Sequence, residues 1–380
     1  WVNTSACISA DTTKTVESKT IGNGVIITEA KGWLETVYAK WKPIAGADGY
    51  NVYVKGGQHA DYSKVDAELI RLYNGYVRVD IPGLKAGTYS LKIVAVKVGK
   101  ETESGEVTGL KVLNYLREGF AHKNYSGVGA YNDDGTLKSG AVVIYVNKDN
   151  AKTVSARLGK ATFTGLQAIL NAYQKGNITT PLSVRILGLL RNSDTDAFGS
   201  STEGIQIKGK QADSEMNITI EGIGEDASIY GFGFLVRNAK SVEFRNLGIM
   251  RAMDDGVSLD TNNSNIWVHH MDLFYGRASG GDHIKGDGSI DVKTDSKFVT
   301  IDNCHFWDTG KTSMCGMNKE TGPNYITYHH NWFDHSDSRH ARVRTMSVHL
   351  WNNYYDGCAK YGIGATMGCS VFSENNYFRA

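Results

Sequence analysis

The sequence predicts an all-β chain in which a right-handed parallel β-helix follows a small β-sandwich. Three observations predict it. The 380 residues include 43 glycines and only 4 prolines; glycine well above its ~7% average and proline below ~5% indicate many tight turns. The stretch from Val25 to Leu113 alternates apolar and polar residues in short runs. From Val242 onward, an eight-residue pattern recurs at intervals suited to the coils of a solenoid.

Residues 1–24 are rich in Thr, Ser and Lys without periodicity and read as a lead-in. Residues 25–113 read as an antiparallel sandwich. "TVYAKWKPIAGADGYNVYV" places Val37, Ala39 and Trp41 on one face, turns at Gly46–Gly49, and resumes with Tyr50, Val52 and Val54. A Trp on an early strand and the phrase "GLKAGTYSLKIVAV" resemble a fibronectin type III domain, with Tyr89 as the matching Tyr. Such a module spaces or presents its neighbours, and this one displays no catalytic cluster.

Residues 115–380 have a different texture. "SGAVVIYVNKDN" is an apolar strand, and "TFTGLQAILNAYQKGN" is a helix candidate. Thr164 and Gln167 have the spacing of a capping box. Phe163, Leu166, Ile169, Leu170 and Tyr173 share one helical face, and Gly176 ends it.

The repeat that follows defines the architecture. "VEFRNLGI", "IWVHHMDL", "VTIDNCHF", "ITYHHNWF", "VHLWNNYY" and "VFSENNYF" start at Val242, Ile266, Val299, Ile326, Val348 and Val371, spaced by 24, 33, 27, 22 and 23 residues. "ITIEG" at Ile218 extends the series upstream. Four residues in stand Asn246, His270, Asn303, His330, Asn352 and Asn375, expected to form a ladder of side-chain hydrogen bonds. Seven in stand Ile249, Leu273, Phe306, Phe333, Tyr355 and Phe378, expected to stack inside. A unit of this size cannot bury its own apolar face, but stacked coils can. The dense leucine template of a leucine-rich repeat and the longer period of a propeller are both missing.

Composition excludes several functions. Forty-one basic and 40 acidic residues leave a net charge of +1, without the basic excess of a nucleic-acid binder. No apolar run approaches the ~18 residues of a membrane span. Cys7, Cys304, Cys315, Cys358 and Cys369 form neither a disulfide framework nor a spaced zinc cluster. The chain begins at Trp1 without a signal-peptide pattern and reads as processed. The repeat is still in step at Val371–Phe378 and stops without a cap, so the natural chain is expected to continue.

Chemistry is expected where the repeat is interrupted. The 33-residue interval holds "FYGRASGGDHIKGDGSIDVKTD", in which Asp287 and Asp291 stand four apart, on one face of an extended chain. "MDDGVSLD" on the preceding coil offers Asp254 and Asp255. Carboxylates on neighbouring coils make an oxygen-only site that suits Ca²⁺ better than Zn²⁺. Lys311 in "WDTGKTSMCG" and Arg339, Arg342 and Arg344 in "HSDSRHARVR" follow on the next coils. A groove with carboxylates beside Lys and Arg binds an acidic polysaccharide through a metal bridge. Adjacent His269–His270 and His329–His330 face opposite ways on a strand, which argues against a zinc site.

"WVHHMDLF", "DGSIDVK", "KFVTIDNCHFWDTGKTS", "YHHNWFDHSDSRHARVR" and "VHLWNNYYD" together resemble the pectate lyases of polysaccharide lyase family one, from about Tyr115 to Ala380. The resemblance implies Ca²⁺ on Asp255, Asp287 and Asp291, Arg339 as the base, Lys311 beside it, and Arg344 with Arg342 holding substrate. It implies a secreted, monomeric lyase that cleaves polygalacturonate or pectin by calcium-dependent β-elimination, giving 4,5-unsaturated oligogalacturonides. The chain departs from the pattern at Ala341 in place of the motif's Pro, at His340, and at His269 in place of Asp. One extra residue between Asp255 and Trp267 leaves Asp254 as the alternative first ligand. A polygalacturonase-like hydrolase lacks its Gly-His-Gly and Arg-Ile-Lys signatures here. A pectin lyase would not keep the carboxylates, and a β-helical binding protein would not need Lys311, Arg339 and three Asp together.

Overall fold

The computed structural model describes residues 20–21, 24–196, 203–274, 285–317 and 320–380. The lead-in therefore lies almost wholly outside the described residues, as does 275–284 of the interrupting loop. The chain divides into two compact units, one reaching Leu116 and including Tyr131–Leu137, the other comprising Arg117–Ala130 and Lys138–Ala380.

The first unit is two antiparallel sheets. Four strands pair in the order Ile27–Gly32, Thr36–Trp41, Tyr76–Pro82, Ile70–Tyr73. Five pair in the order Thr20–Ile21, Lys100–Val112, Gly87–Lys97, Gly49–Gly56, His59–Lys64. The alternation read from sequence faces a core: Val37, Ala39, Trp41, Val52, Tyr89, Leu91 and Ile93 are fully buried. Tyr89 Oη donates to the Lys85 carbonyl at 2.8 Å, tying the strand's start back to the preceding turn. Gly57 is required there, because a Cβ would stand 1.8 Å from that oxygen.

The second unit is a parallel β-helix. Its longer strands stack in register, with Ile218, Val242, Ile266, Val299, Ile326, Val348 and Val371 as successive partners. These are the repeat starts read from the sequence. A second stack runs through Asp272–Phe274, His305–Trp307, Trp332–Asp334, Tyr354–Asp356 and Tyr377–Arg379. A third sheet holds Gly204–Lys208, Gly233–Arg237, Val257–Thr261, Ile290–Val292, Lys311–Cys315, Ser338–Arg344 and Gly364–Thr366. Strands so covered must bury both apolar faces and satisfy every amide, and stacking in register does both. Phe306, Phe333 and Tyr355 stack inside and Phe378 continues the column at its exposed end, with 4.9, 4.9 and 4.4 Å between successive ring centroids.

The amide ladder lies one residue later than the sequence indicated. Asn246, His270, Asn303, His330, Asn352 and Asn375 all take left-handed φ between 49° and 54° and turn the chain between two strands. Asn favours that conformation more than most residues do. The ladder is Asn331, Asn353 and Asn376. Asn331 Nδ2 donates to Asn353 Oδ1, and Asn353 Nδ2 to Asn376 Oδ1, each at 3.0 Å.

The same turn corrects the histidine argument. Because His270 and His330 leave the extended conformation, each pair converges, with Nδ1 atoms 2.9 Å apart in both. Segment Arg117–Ala130 covers the outward side of the long strands, donating from Ala121 N to Thr300 Oγ1 and from Ala130 N to Thr219 Oγ1.

The helix spans Leu166–Asn171, continues as a 3₁₀ turn over Ala172–Lys175, and ends at left-handed Gly176. The expected capping box does not form. Its N-cap is Gly165, and Thr164 instead closes a hairpin, its hydroxyl 3.0 Å from Ser155 Oγ. Among the described residues no helix is long and apolar enough to cross a membrane, and Cys304, Cys315, Cys358 and Cys369 are free thiols.

Candidate active site

The third sheet carries the site on its outward face and on the turns entering its strands. Asp254 and Asp255 precede Val257–Thr261, and Asp287 precedes Ile290–Val292. The two turns are pinned together, since Gly256 N donates to the Gly288 carbonyl at 2.9 Å. Gly288 N in turn donates to Asp255 Oδ1 at 3.0 Å.

The result is a knot of carboxylates. One oxygen each from Asp254, Asp255 and Asp287 lies within 4.8 Å of the others. Asp255 is 2% exposed, whereas Asp287 opens toward two cations. Lys311 Nζ lies 3.5 Å and an Arg339 Nη 3.9 Å from Asp287 Oδ1. Lys311 is itself buried at the head of its strand.

Asp291 is placed differently from its expected partner Asp287. It is buried in mid-strand, beside Ser258 in register, and accepts from Met314 N at 2.8 Å. A Cβ at Gly288 would come within 2.2 Å of its oxygen, so glycine is needed for that close approach. Lys293 joins Asp291 to the knot. Its Nζ is 3.6 Å from Asp291 Oδ2, 3.0 Å from Ser258 Oγ, and hydrogen-bonded to Asp255. Sequence reasoning assigned Lys293 no role, although it closes the motif "DGSIDVK". Its signal was a lysine two residues from a buried carboxylate on a strand, hence on the same face.

Burial sets the charge states. It pushes the Asp255 and Asp291 carboxyls up, Asp291 to about 7, with Lys293 pulling the other way on both. Burial also works against the charge of Lys293, but Asp291 and Asp255 hold its ammonium above the ordinary range. Two buried acids with one ammonium between them are short of positive charge. An oxygen-only donor set of this kind fits a hard divalent cation, with Asp254, Asp255 and Asp287 as the converging donors.

The three arginines share one face through an irregularity. Strict alternation would put Arg339 opposite Arg342 and Arg344. The pairing with Lys311–Cys315 slips between Ser313–Met314 and His340–Arg342, so the strand holds one extra residue there. His340 and Ala341 are both buried, while Arg339, Arg342 and Arg344 are all half-buried on the outer side. The His340–Ala341 peptide is cis. Arg344 donates to the Met317 carbonyl at 2.9 Å. Arg342 is pushed below the ordinary guanidinium range by burial, then by Arg339 and Arg344.

Fold and site together define a β-helical protein with an acid knot and a row of cations on one sheet. Residues 167–380 match the sequence pattern of the family described as pectate lyase, and the chain belongs to that family. Pectate trisaccharide-lyase of Bacillus licheniformis is 28% identical over 221 residues, covering 57% of this chain and 61% of that protein. Pectate lyase A of Emericella nidulans is 32% identical over 183 residues, covering 46% and 54%. The chain thus spans less than two thirds of the length of these relatives. Among solved structures, a Bacillus pectate lyase in complex with trigalacturonate superposes with a TM-score of 0.54 at 23% identity, covering 69% of this chain and 75% of that one. Pectate lyase II of Xanthomonas campestris gives 0.51 at 21%, covering 69% and 82%. At that identity the likeness is one of fold.

Proposed function

We propose that the chain is a secreted, monomeric, calcium-dependent pectate lyase that cleaves α-1,4-linked galacturonan by β-elimination. The observation that carries the reading is the sharing of Asp287. It belongs to a converging carboxylate trio and lies 3.5 Å from Lys311 and 3.9 Å from Arg339. Relatives named for pectate lyase activity support it.

Asp254, Asp255 and Asp287 would hold Ca²⁺, and Asp291 shares the Lys293 ammonium with Asp255. Calcium would neutralise the galacturonate carboxylate and so acidify the proton on carbon 5. Arg339 takes that proton, the carbon–hydrogen electrons form the carbon 4–carbon 5 double bond, and the glycosidic oxygen on carbon 4 leaves and is protonated by solvent. Lys311 stabilises the charge that develops on the carboxylate. Arg342 and Arg344 bind neighbouring carboxylates of the polymer, fixing its register in the groove. A guanidinium is a base only once deprotonated, so the rate should rise into alkaline pH.

The sandwich fits a fibronectin type III-like spacer. Its Tyr89–Lys85 tie resembles the tyrosine corner of such folds, and its described residues present no catalytic cluster.

Incubation with polygalacturonate, with and without chelator, tests the reading by ultraviolet absorbance of unsaturated ends. Absorbance that vanishes with chelator is expected. Reducing ends without absorbance would mean hydrolysis, and neither signal would leave a binding protein.

A further inference from the structure

A second convergence of metal-binding side chains lies on the short-strand stack, outside the third sheet. Asp334, His335 and Asp356 each offer one ligand atom, and the three atoms lie within 4.8 Å of one another. Asp334 and Asp356 occupy the same register position on successive coils and are only 9% and 6% exposed. Like charges directly opposite on paired strands repel, so a positive charge between them is stabilising. Neighbouring side chains answer part of that charge. His305 Nε2 lies 2.9 Å from Asp334 Oδ2, and Arg379 Nε 3.5 Å from Asp356 Oδ1.

The imidazole is well positioned. His335 takes a left-handed φ of 48°, and its amide donates to the Asp356 carbonyl at 2.8 Å, fixing it above that coil. Its ring rests on Gly357, where a Cβ would come within 2.9 Å of Cδ2. The edge of His335 remains 65% exposed, so an ion can enter from solvent. Its Nδ1 is 2.5 Å from Asp334 Oδ1, so imidazole and carboxylate already meet without an ion.

We propose that Asp334, His335 and Asp356 form a second divalent-cation site, taking a borderline transition ion of the Zn²⁺ class and joining two coils. The donor chemistry decides against Ca²⁺, which takes six to eight oxygens. One imidazole nitrogen with carboxylate oxygens is a donor set that zinc accepts, water completing the shell. The chain thus sorts two cations by ligand type: carboxylates alone in the groove, imidazole with carboxylates here.

Calorimetric titration of the full, untagged chain with ZnCl₂ in saturating calcium tests this. One equivalent should bind, and the thermal midpoint should rise with zinc. His335→Ala and Asp356→Asn should weaken zinc binding by more than the about 10- to 100-fold typical of losing an outer-shell partner. Asp287→Asn should leave it intact. His335 is exposed and Asp356→Asn is isosteric, so both variants should fold, and circular dichroism is the check. Absence of zinc binding, undiminished binding in His335→Ala, or displacement of zinc by excess calcium would each overturn the proposal.

Discussion

The ammonium of Lys293 stands directly against the carboxylate of Asp255, and Asp291 lies 3.6 Å from the same nitrogen. One lysine therefore answers two buried acids, and it stands beside the trio proposed to hold calcium. Replacing it with Met leaves both carboxylates without a counter-ion. Removing one partner of a buried pair costs about 3–5 kcal/mol. Lys293→Met should lose stability on that scale in urea titrations without metal. The same change removes a positive charge beside the cation site, so calcium should bind more tightly and restore part of the loss. An unchanged urea midpoint would show that the lysine is not the counter-charge.

Arg339 and Lys311 are expected to act at different points of one reaction. Arg339→Lys keeps the positive charge but places it on a shorter, non-planar group. If Arg339 is the base, kcat should fall by about 10²- to 10⁴-fold with little change in KM. Lys311→Met removes one stabilising charge and should cost about 10²- to 10³-fold. Both are read from the absorbance of unsaturated ends on polygalacturonate. An Arg339→Lys enzyme with near-normal kcat would move the base elsewhere.

The amide ladder separates two adjacent asparagines. Asn353 is 2% exposed; its Oδ1 accepts from Asn331 N and Nδ2, and its Nδ2 donates to the Tyr328 carbonyl. Asn353→Ala strands several buried groups at about 1–3 kcal/mol each. Asn352 takes the left-handed turn at φ 54°. Asn352→Gly keeps that conformation and should shift the urea midpoint little. Equal losses in the two variants would contradict the ladder's placement.

That one-residue offset marks where sequence reading ends. The repeat was legible because apolar residues recur at each coil's start, and Ile218 through Val371 stack as aligned. Periodicity in two cannot tell an extended residue from a left-handed one, so the polar position four residues in was read as ladder rather than turn. The site divides the same way. Asp255, Asp287, Lys311 and Arg339 were legible as charged residues on interrupted coils. Asp291 is buried in mid-strand against Gly288, whereas Asp287 stands in the turn before that strand, a difference that spacing alone does not signal. The three arginines share a face because the strand holds an extra residue, which no charge pattern signals.

Acid should unfold the protein through its histidines. Burial holds His329 and His340 at about 4, and lowers His269 and His270 further from the ordinary imidazole. In the unfolded chain each takes a proton as pH falls through about 6.5. The folded chain refuses those protons until about 4, so the unfolded state binds more protons between these values. Stability contributed by these groups is present above about 6.5 and is lost as pH falls toward 4. Asp291 and Asp302 oppose this, because burial pushes both up to about 7. Their contribution is present below about 4 and is lost as pH rises through 7, so they offset part of the histidine effect within the window. His340 isolates one titration: its Nδ1 lies 2.6 Å from the Tyr361 carbonyl, where a protonated Nδ1 donates. His340→Gln keeps a donor of similar length but cannot take the proton. The slope of stability against pH between 6.5 and 4 should then fall by one proton's worth relative to the parent. An unchanged slope would mean that His340 already titrates in the folded chain as it does in the unfolded one.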